Sequence, residues 1–175
     1  MRRILIVIDL QNDFIDGALG TKEAEGIVDR VIAKMDAYAP EDIYATRDTH
    51  PANYLELQEG HYLPVPHCIE GTEGWQIRPG IAERIPADHI IDKPTFGSLA
   101  LAEEMKKLCA AEDGGIEFEF VGLCTDICVV SNALILKATL PEAKILADAA
   151  CCAGVTPEKH AAALETMRSC QIEIV

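Results

Sequence analysis

Three side chains of complementary chemistry each stand just beyond a short apolar run. Asp9 closes the run Ile4-Leu5-Ile6-Val7-Ile8, Lys93 follows Ile90-Ile91, and Cys128 opens an apolar helical pattern after Phe118 to Gly122. A thiol is a weak nucleophile until it loses its proton. A carboxylate base, a nearby ammonium and a helix N-terminus each help to form or use the thiolate. The first turn of a helix also points backbone N–H groups outward, as an oxyanion hole requires. Singly, each residue has an ordinary structural use. An Asp at a strand end caps a turn, a Lys is solvated, and a Cys in an apolar segment is more often core than catalyst.

A second polar group lies on the long segment from Thr46 to Arg84. Asp48-Thr49-His50 opens it, and Glu59, His61 and His67 follow. Carboxylate and imidazole together suit zinc, manganese or iron. The plainer reading is a polar loop with solvated histidines.

The elements that must position these residues follow from periodicity. Branched apolar runs predict strands at Arg3 to Asp9, Asp42 to Thr46, His89 to Asp92, Ile116 to Gly122, Lys144 to Asp148 and Gln171 to Val175. Helical spacing predicts helices at Thr21 to Tyr38, Leu99 to Ala111, Cys128 to Leu140 and Pro157 to Ser169. Thr156-Pro157 is an N-cap followed by a first-turn proline. Alternation of this kind predicts an α/β fold: one domain of three layers, α/β/α, around a mainly parallel sheet of about five or six strands. In open sheets of that class ligands bind at the carboxyl ends of the strands, where Asp9, Asp48, Lys93 and the segment after Gly122 fall. The Thr46 to Arg84 stretch breaks the alternation, and so long a loop in a compact domain is usually functional.

Composition narrows the partners. The chain has 175 residues, 49% of them hydrophobic, enough for a single core. Its formal net charge of -14 repels phosphate backbones and anionic membranes, so nucleic acid and membrane surfaces are excluded as expected partners. Met1-Arg2-Arg3 and the apolar stretch behind it are closed by Asp9 and predict a first strand rather than a leader. Seven cysteines, an odd number that includes the adjacent Cys151 and Cys152, point to a reducing cytoplasm with mostly inert core thiols.

The combined pattern resembles a known family. Asp9-Leu10-Gln11-Asn12-Asp13-Phe14 resembles the opening motif of isochorismatase-like hydrolases, which include nicotinamidases. Lys93-Pro94-Thr95-Phe96 is similar to their lysine segment, and Gly122-Leu123-Cys124-Thr125-Asp126-Ile127-Cys128-Val129 to their nucleophile motif. The order and spacing agree, so the resemblance spans residues 1–175 as one hydrolase domain. It implies that Asp9 is a general base, Lys93 its charge-stabilising partner, and Cys128 a nucleophile that forms a thioester with a small amide. It further implies a cis peptide between Leu123 and Cys124, which turns the Cys124 amide toward the oxyanion alongside that of Cys128. Cleavage of a vinyl ether, the other chemistry of the family, uses no cysteine nucleophile, so Cys128 argues for amide hydrolysis.

The resemblance also bears on the loop. Asp48-Thr49-His50 and His67-Cys68-Ile69-Glu70-Gly71-Thr72 are similar to the metal-bearing stretch of nicotinamidases, where a metal holds the pyridine nitrogen of the substrate. It implies a divalent transition metal on Asp48, His50, His67 and a fourth ligand, taken as Glu59 over His61, and no organic cofactor. The chain departs from the pattern at Leu63-Pro64-Val65-Pro66, where nicotinamidases often carry an aromatic residue that sandwiches the ring. Phe14 is left to supply one wall, with Trp75 and Phe96 as looser candidates. The expected activity is therefore a nicotinamidase-like cysteine amidase that assembles as a homo-oligomer. The alternatives are a metal-independent amidase of a carbamoyl or ureido compound, and a catalytically silent member that binds a metabolite or partner.

Overall fold

The computed structural model describes residues 1–112 and 115–175. In chain order its elements are β1 (Arg2–Ile8), α1 (Asn12–Ile15), α2 (Lys22–Met35), β2 (Ile43–Asp48), α3 (Gln58–Tyr62), α4 (Pro79–Ala82) and β3 (Ile90–Lys93). Then follow α5 (Leu99–Ala111), β4 (Ile116–Leu123), α6 (Val130–Thr139), β5 (Lys144–Ala153), α7 (Pro157–Ser169) and β6 (Glu173–Ile174). The six strands form one parallel sheet in the order β3-β2-β1-β4-β5-β6.

Strand β1 sits at the centre because it is apolar on both faces. Ile4, Ile6 and Ile8 point into the core shared with α5, α6 and α7, which contribute Leu101, Met105, Leu136, Leu164 and Met167. Leu5 and Val7 point the other way, against Ile27, Val31 and Met35 of α2 and Ile81 of α4. Each such side chain contributes about 1.5–3 kcal/mol when fully buried. A strand buried on both faces needs helices on both, hence the three layers. The long helices start where side chains cap them: Thr21 accepts from Ala24 N (3.0 Å), Ser98 from Leu101 N (3.1 Å) and Thr156 from Lys159 N (3.2 Å).

Several boundaries differ from expectation, two of them beside the site. Strand β5 continues past Asp148 to Ala153, so Cys151 and Cys152 lie within it. The register shifts between Phe120 and Gly122, and this irregularity admits the extra length. The apolar pattern expected to start a helix at Cys128 instead begins with a π-helical turn, Thr125–Val129, which runs into α6. Among the described residues no helix is long and apolar enough to cross a membrane.

Candidate active site

The strand order places four chemically distinct ends side by side. Strands β3, β2, β1 and β4 are neighbours, and their carboxyl ends carry Lys93, Asp48, Asp9 and the turn holding Cys128. Register aligns them: Lys93 pairs with Asp48, and Ile8 pairs with Thr46 on one side and Gly122 on the other. Chain reversal between β1 and β4 opens the crevice at this edge. Gly122 adopts φ +123°, and a Cβ there would strike the backbone of Ile8, so glycine is what lets the β4 end approach β1. Asp9 itself has φ +47°, a left-handed conformation that Asp tolerates better than most residues.

Asp9, Lys93 and Cys128 converge, all buried. Lys93 Nζ lies 2.7 Å from Asp9 Oδ2, 3.1 Å from Asp48 Oδ1 and 3.4 Å from Cys128 Sγ, and it donates to the Thr95 carbonyl at 3.1 Å. Thr46 donates to Asp9 Oδ1 at 2.7 Å. The Asp9–Lys93 approach is close as an ion pair but lies outside hydrogen-bond angles, which leaves Oδ2 able to accept from another donor. Lys93 links the two other groups, since its ammonium faces both the Asp9 carboxylate and the Cys128 sulfur.

Burial shapes the ionisation of all three groups. Burial, followed by the Asp9 charge, pushes the Cys128 thiol well above its ordinary value, and Lys93 offsets this only in part. Burial likewise raises Asp9 despite Lys93. Burial opposes charge on Lys93 too, but Asp9, Cys128 and Asp48 outweigh it and hold the ammonium above its usual range. Burial thus works against a standing thiolate, and Asp9, the neighbouring carboxylate, is the group placed to activate this sulfur as a base.

The second group is contiguous with the first through Asp48. Its Oδ1 faces Lys93, while its Oδ2 lies 2.9 Å from His50 Nε2 and 3.7 Å from His67 Nε2. Glu59 Oε1 is 3.6 Å from each of the same imidazole nitrogens. Tetrahedral zinc, with bonds of roughly 2.0–2.1 Å, sets its ligand atoms about 3.3–3.4 Å apart, so these spacings suit one cation. Two observations of the side chains support the fit. His50 Nε2 is buried without an aligned hydrogen bond, and His67 Nδ1 bonds the Val65 carbonyl at 2.9 Å, which leaves its Nε2 toward the cluster. Asp48, His50 and His67 are all buried, and the donor set fits a divalent cation. His61 is exposed on α3.

Cys128 from the first group and Asp48, Glu59 and His67 from the second line one cavity of about 370 Å³, together with Leu123 and Cys124. Phe14 lines it too, its ring 5.4 Å from that of His67, as does Phe96. Trp75 is instead held outside, donating to Thr49 at 2.8 Å with Arg47 stacked on its face. The Leu123–Cys124 peptide is cis. Cys124 lines the cavity, and burial pushes its thiol up to about 12.

The supporting residues were not singled out from sequence. Gln11, fully buried, clamps the Asp48 backbone, donating to its carbonyl at 2.8 Å and accepting from its N–H at 2.7 Å. Asp13 accepts from Cys68 N at 2.8 Å and ties the His67 segment to α1. Asn132 reaches the Phe96 and Cys128 carbonyls and Ser98 N, linking the segment after Lys93 to α6. Thr125 pairs with His160 Nδ1 at 2.8 Å, and Asp126 accepts from Val155 N at 2.9 Å, strapping the nucleophile turn to the start of α7. A legible signal existed for Asn132, a polar residue on the buried face of an apolar helix.

Comparison with known proteins bears on the family and the fold. The model of the isochorismatase domain matches residues 3–175. The chain is 28% identical over 185 residues to the nicotinamidase/pyrazinamidase of Mycobacterium tuberculosis, covering 99% of this chain and 98% of that protein. The crystal structure of the Bacillus subtilis nicotinamidase/pyrazinamidase superposes with a TM-score of 0.81 at 28% identity, covering 100% of each chain. That of the Pyrococcus horikoshii pyrazinamidase in complex with zinc gives 0.79 at 28% identity, covering 100% of this chain and 99% of the other.

Proposed function

The chain belongs to the isochorismatase family, and from that premise we propose that it is a cysteine amidase that hydrolyses nicotinamide, or a close relative of it, to the acid and ammonia. The observation that carries this reading is the shared cavity, lined both by Cys128, which Lys93 and Asp9 back, and by the metal donors Asp48, Glu59 and His67. The relatives named nicotinamidase or pyrazinamidase support it.

In this mechanism Asp9 takes the Cys128 proton as the sulfur attacks the carboxamide carbon. The Lys93 charge offsets the anion that builds up beside it. The carbonyl oxygen becomes an oxyanion received by the backbone N–H groups of Cys124 and Cys128. Collapse breaks the C–N bond, and Asp9 returns the proton to the departing ammonia. The thioester is then cleaved by water, whose proton passes to Asp9 and on to the sulfur as the acid leaves. Phe14 supplies one apolar wall for the ring, and Leu123 supports the peptide that carries the Cys124 amide. Asp48, His50, Glu59 and His67 would hold a divalent transition metal, which when bound supplies a Lewis acid for a ring nitrogen; zinc is the first choice, given the zinc-bound relative. The same reading carries a homo-oligomer in a reducing cytoplasm, and the seven unpaired cysteines support the second part.

Ammonia release from a carboxamide panel, in wild type and Cys128→Ser, tests the proposal. Cys128-dependent release from nicotinamide is expected. Release only from carbamoyl or ureido compounds, unaffected by chelation, would replace it with the metal-independent amidase.

A further inference from the structure

The cavity has more wall than the two anchors use. Apart from Cys128 and the metal donors, its lining is almost wholly apolar, and Lys159 is the one charge among the rest. Tyr62, Leu63, Phe96 and Val155 belong to this lining. They are 84%, 37%, 49% and 40% exposed, and so account for four of the eight large hydrophobic side chains that the described surface leaves to water. Scattered apolar residues need no explanation, but half of them gathered on the rim of one cavity do. Leu63 opens the Leu63-Pro64-Val65-Pro66 stretch, which provides no aromatic lid.

We propose that the natural substrate is a ring carboxamide carrying an additional apolar substituent, which leaves the ring away from both anchors and covers this rim. The inference rests on the amidase reading above and names the substrate class of the same site. In a nicotinamide-like ring the nitrogen and the carboxamide are meta to each other. Only the 5-position is meta to both, so a group there points away from Cys128 and from the metal donors together. The apolar lining residues are the part of the cavity wall that neither anchor uses. A cavity of about 370 Å³ falls in the range of about 300–1,000 Å³ that holds drug-sized ligands, more than one six-membered ring needs. The rim is continuous with the reacting part of the cavity, which favours substrate over a second protein as its cover.

The test is a series of nicotinamide and its 5-methyl, 5-ethyl and 5-propyl derivatives, read as kcat/KM by ammonia release and as Kd on Cys128→Ala. Each buried methylene should contribute up to about fourfold, so the propyl compound should exceed nicotinamide by at least tenfold in both measures. In Tyr62→Ser/Leu63→Ser the propyl-to-hydrogen ratio should collapse toward one, and that ratio, not either absolute value, is the readout. A flat or falling series on an enzyme that turns over nicotinamide overturns the substituent and leaves the amidase reading intact. A flat series whose kcat/KM rises with protein concentration assigns the rim to a second copy and equally overturns it. Failure to hydrolyse any member, with no Kd trend, overturns both readings.

Discussion

Lys93→Met removes the one cation from a buried group that holds two carboxylates. In the native site Lys93 Nζ stands 2.7 Å from Asp9 and 3.1 Å from Asp48, with the side chain 1% exposed. Methionine fills much the same volume, so the change is mainly one of charge. Breaking a buried pair from one side costs about 3–5 kcal/mol, because the surviving charge has no partner. For a chain of this size, at roughly 2–4 °C per kcal/mol, Tm should fall by about 6–20 °C. Asp9, already raised by burial, loses the charge that held it down and takes up a proton. It can then no longer accept one from Cys128, and turnover should fall by about 10²–10⁴-fold. Thermal unfolding of metal-replete wild type, Lys93→Met and Lys93→Met/Asp9→Asn separates the two effects. The double variant removes the carboxyl group whose forced protonation costs stability, and it should regain several degrees over Lys93→Met while remaining inactive. A Lys93→Met protein that melts within about 2 °C of wild type, or a double variant no more stable than the single one, would refute the reasoning.

Asp9→Asn should fold, because its amide still accepts from Thr46, and lose about 10²–10⁴-fold in kcat; wild-type turnover would exclude Asp9 as base. His50→Ala should purify with less transition metal by elemental analysis and lose most activity, as should chelated wild type. Unchanged activity in both, in a protein without metal, would reduce the cluster to a polar loop. Thr125→Val and His160→Ala should each lower kcat about tenfold or more with little change in KM, since neither side chain lines the substrate cavity and a displaced nucleophile turn costs rate. Thr125→Ser and His160→Asn should restore most of it, and a double Val/Ala variant should be no worse than either alone; multiplying losses would contradict the strap.

The fold was legible where one physical cause acted alone. Runs such as Ile4 to Ile8 are apolar at every position because parallel strands between two helical layers have no wet face. Legibility failed where tertiary pairing decides. The extension of β5 to Ala153 depends on the irregular pairing with β4, which no local pattern reports. The edge strand shrinks to Glu173–Ile174 because only one neighbour holds it. In the site, Asp9, Lys93 and Cys128 could be picked out because strand ends of a parallel sheet share one edge. The thiol's ionisation could not, since it turns on how deeply that edge is covered. Glu59 and His67 sit on a segment without long elements, and their approach to His50 depends on Gln11 and Asp13, whose partners lie 37 and 55 residues away.

The central claim is that Cys128 is the atom that leaves its proton to Asp9 and carries the acyl group. Rapid acid quench of the enzyme with excess nicotinamide, followed by intact mass and peptide mapping, tests it directly. The account predicts a nicotinoyl thioester on the peptide containing Cys128, discharged by hydroxylamine and absent in Cys128→Ser. An acyl group on any other residue, or full turnover by Cys128→Ser, would contradict it.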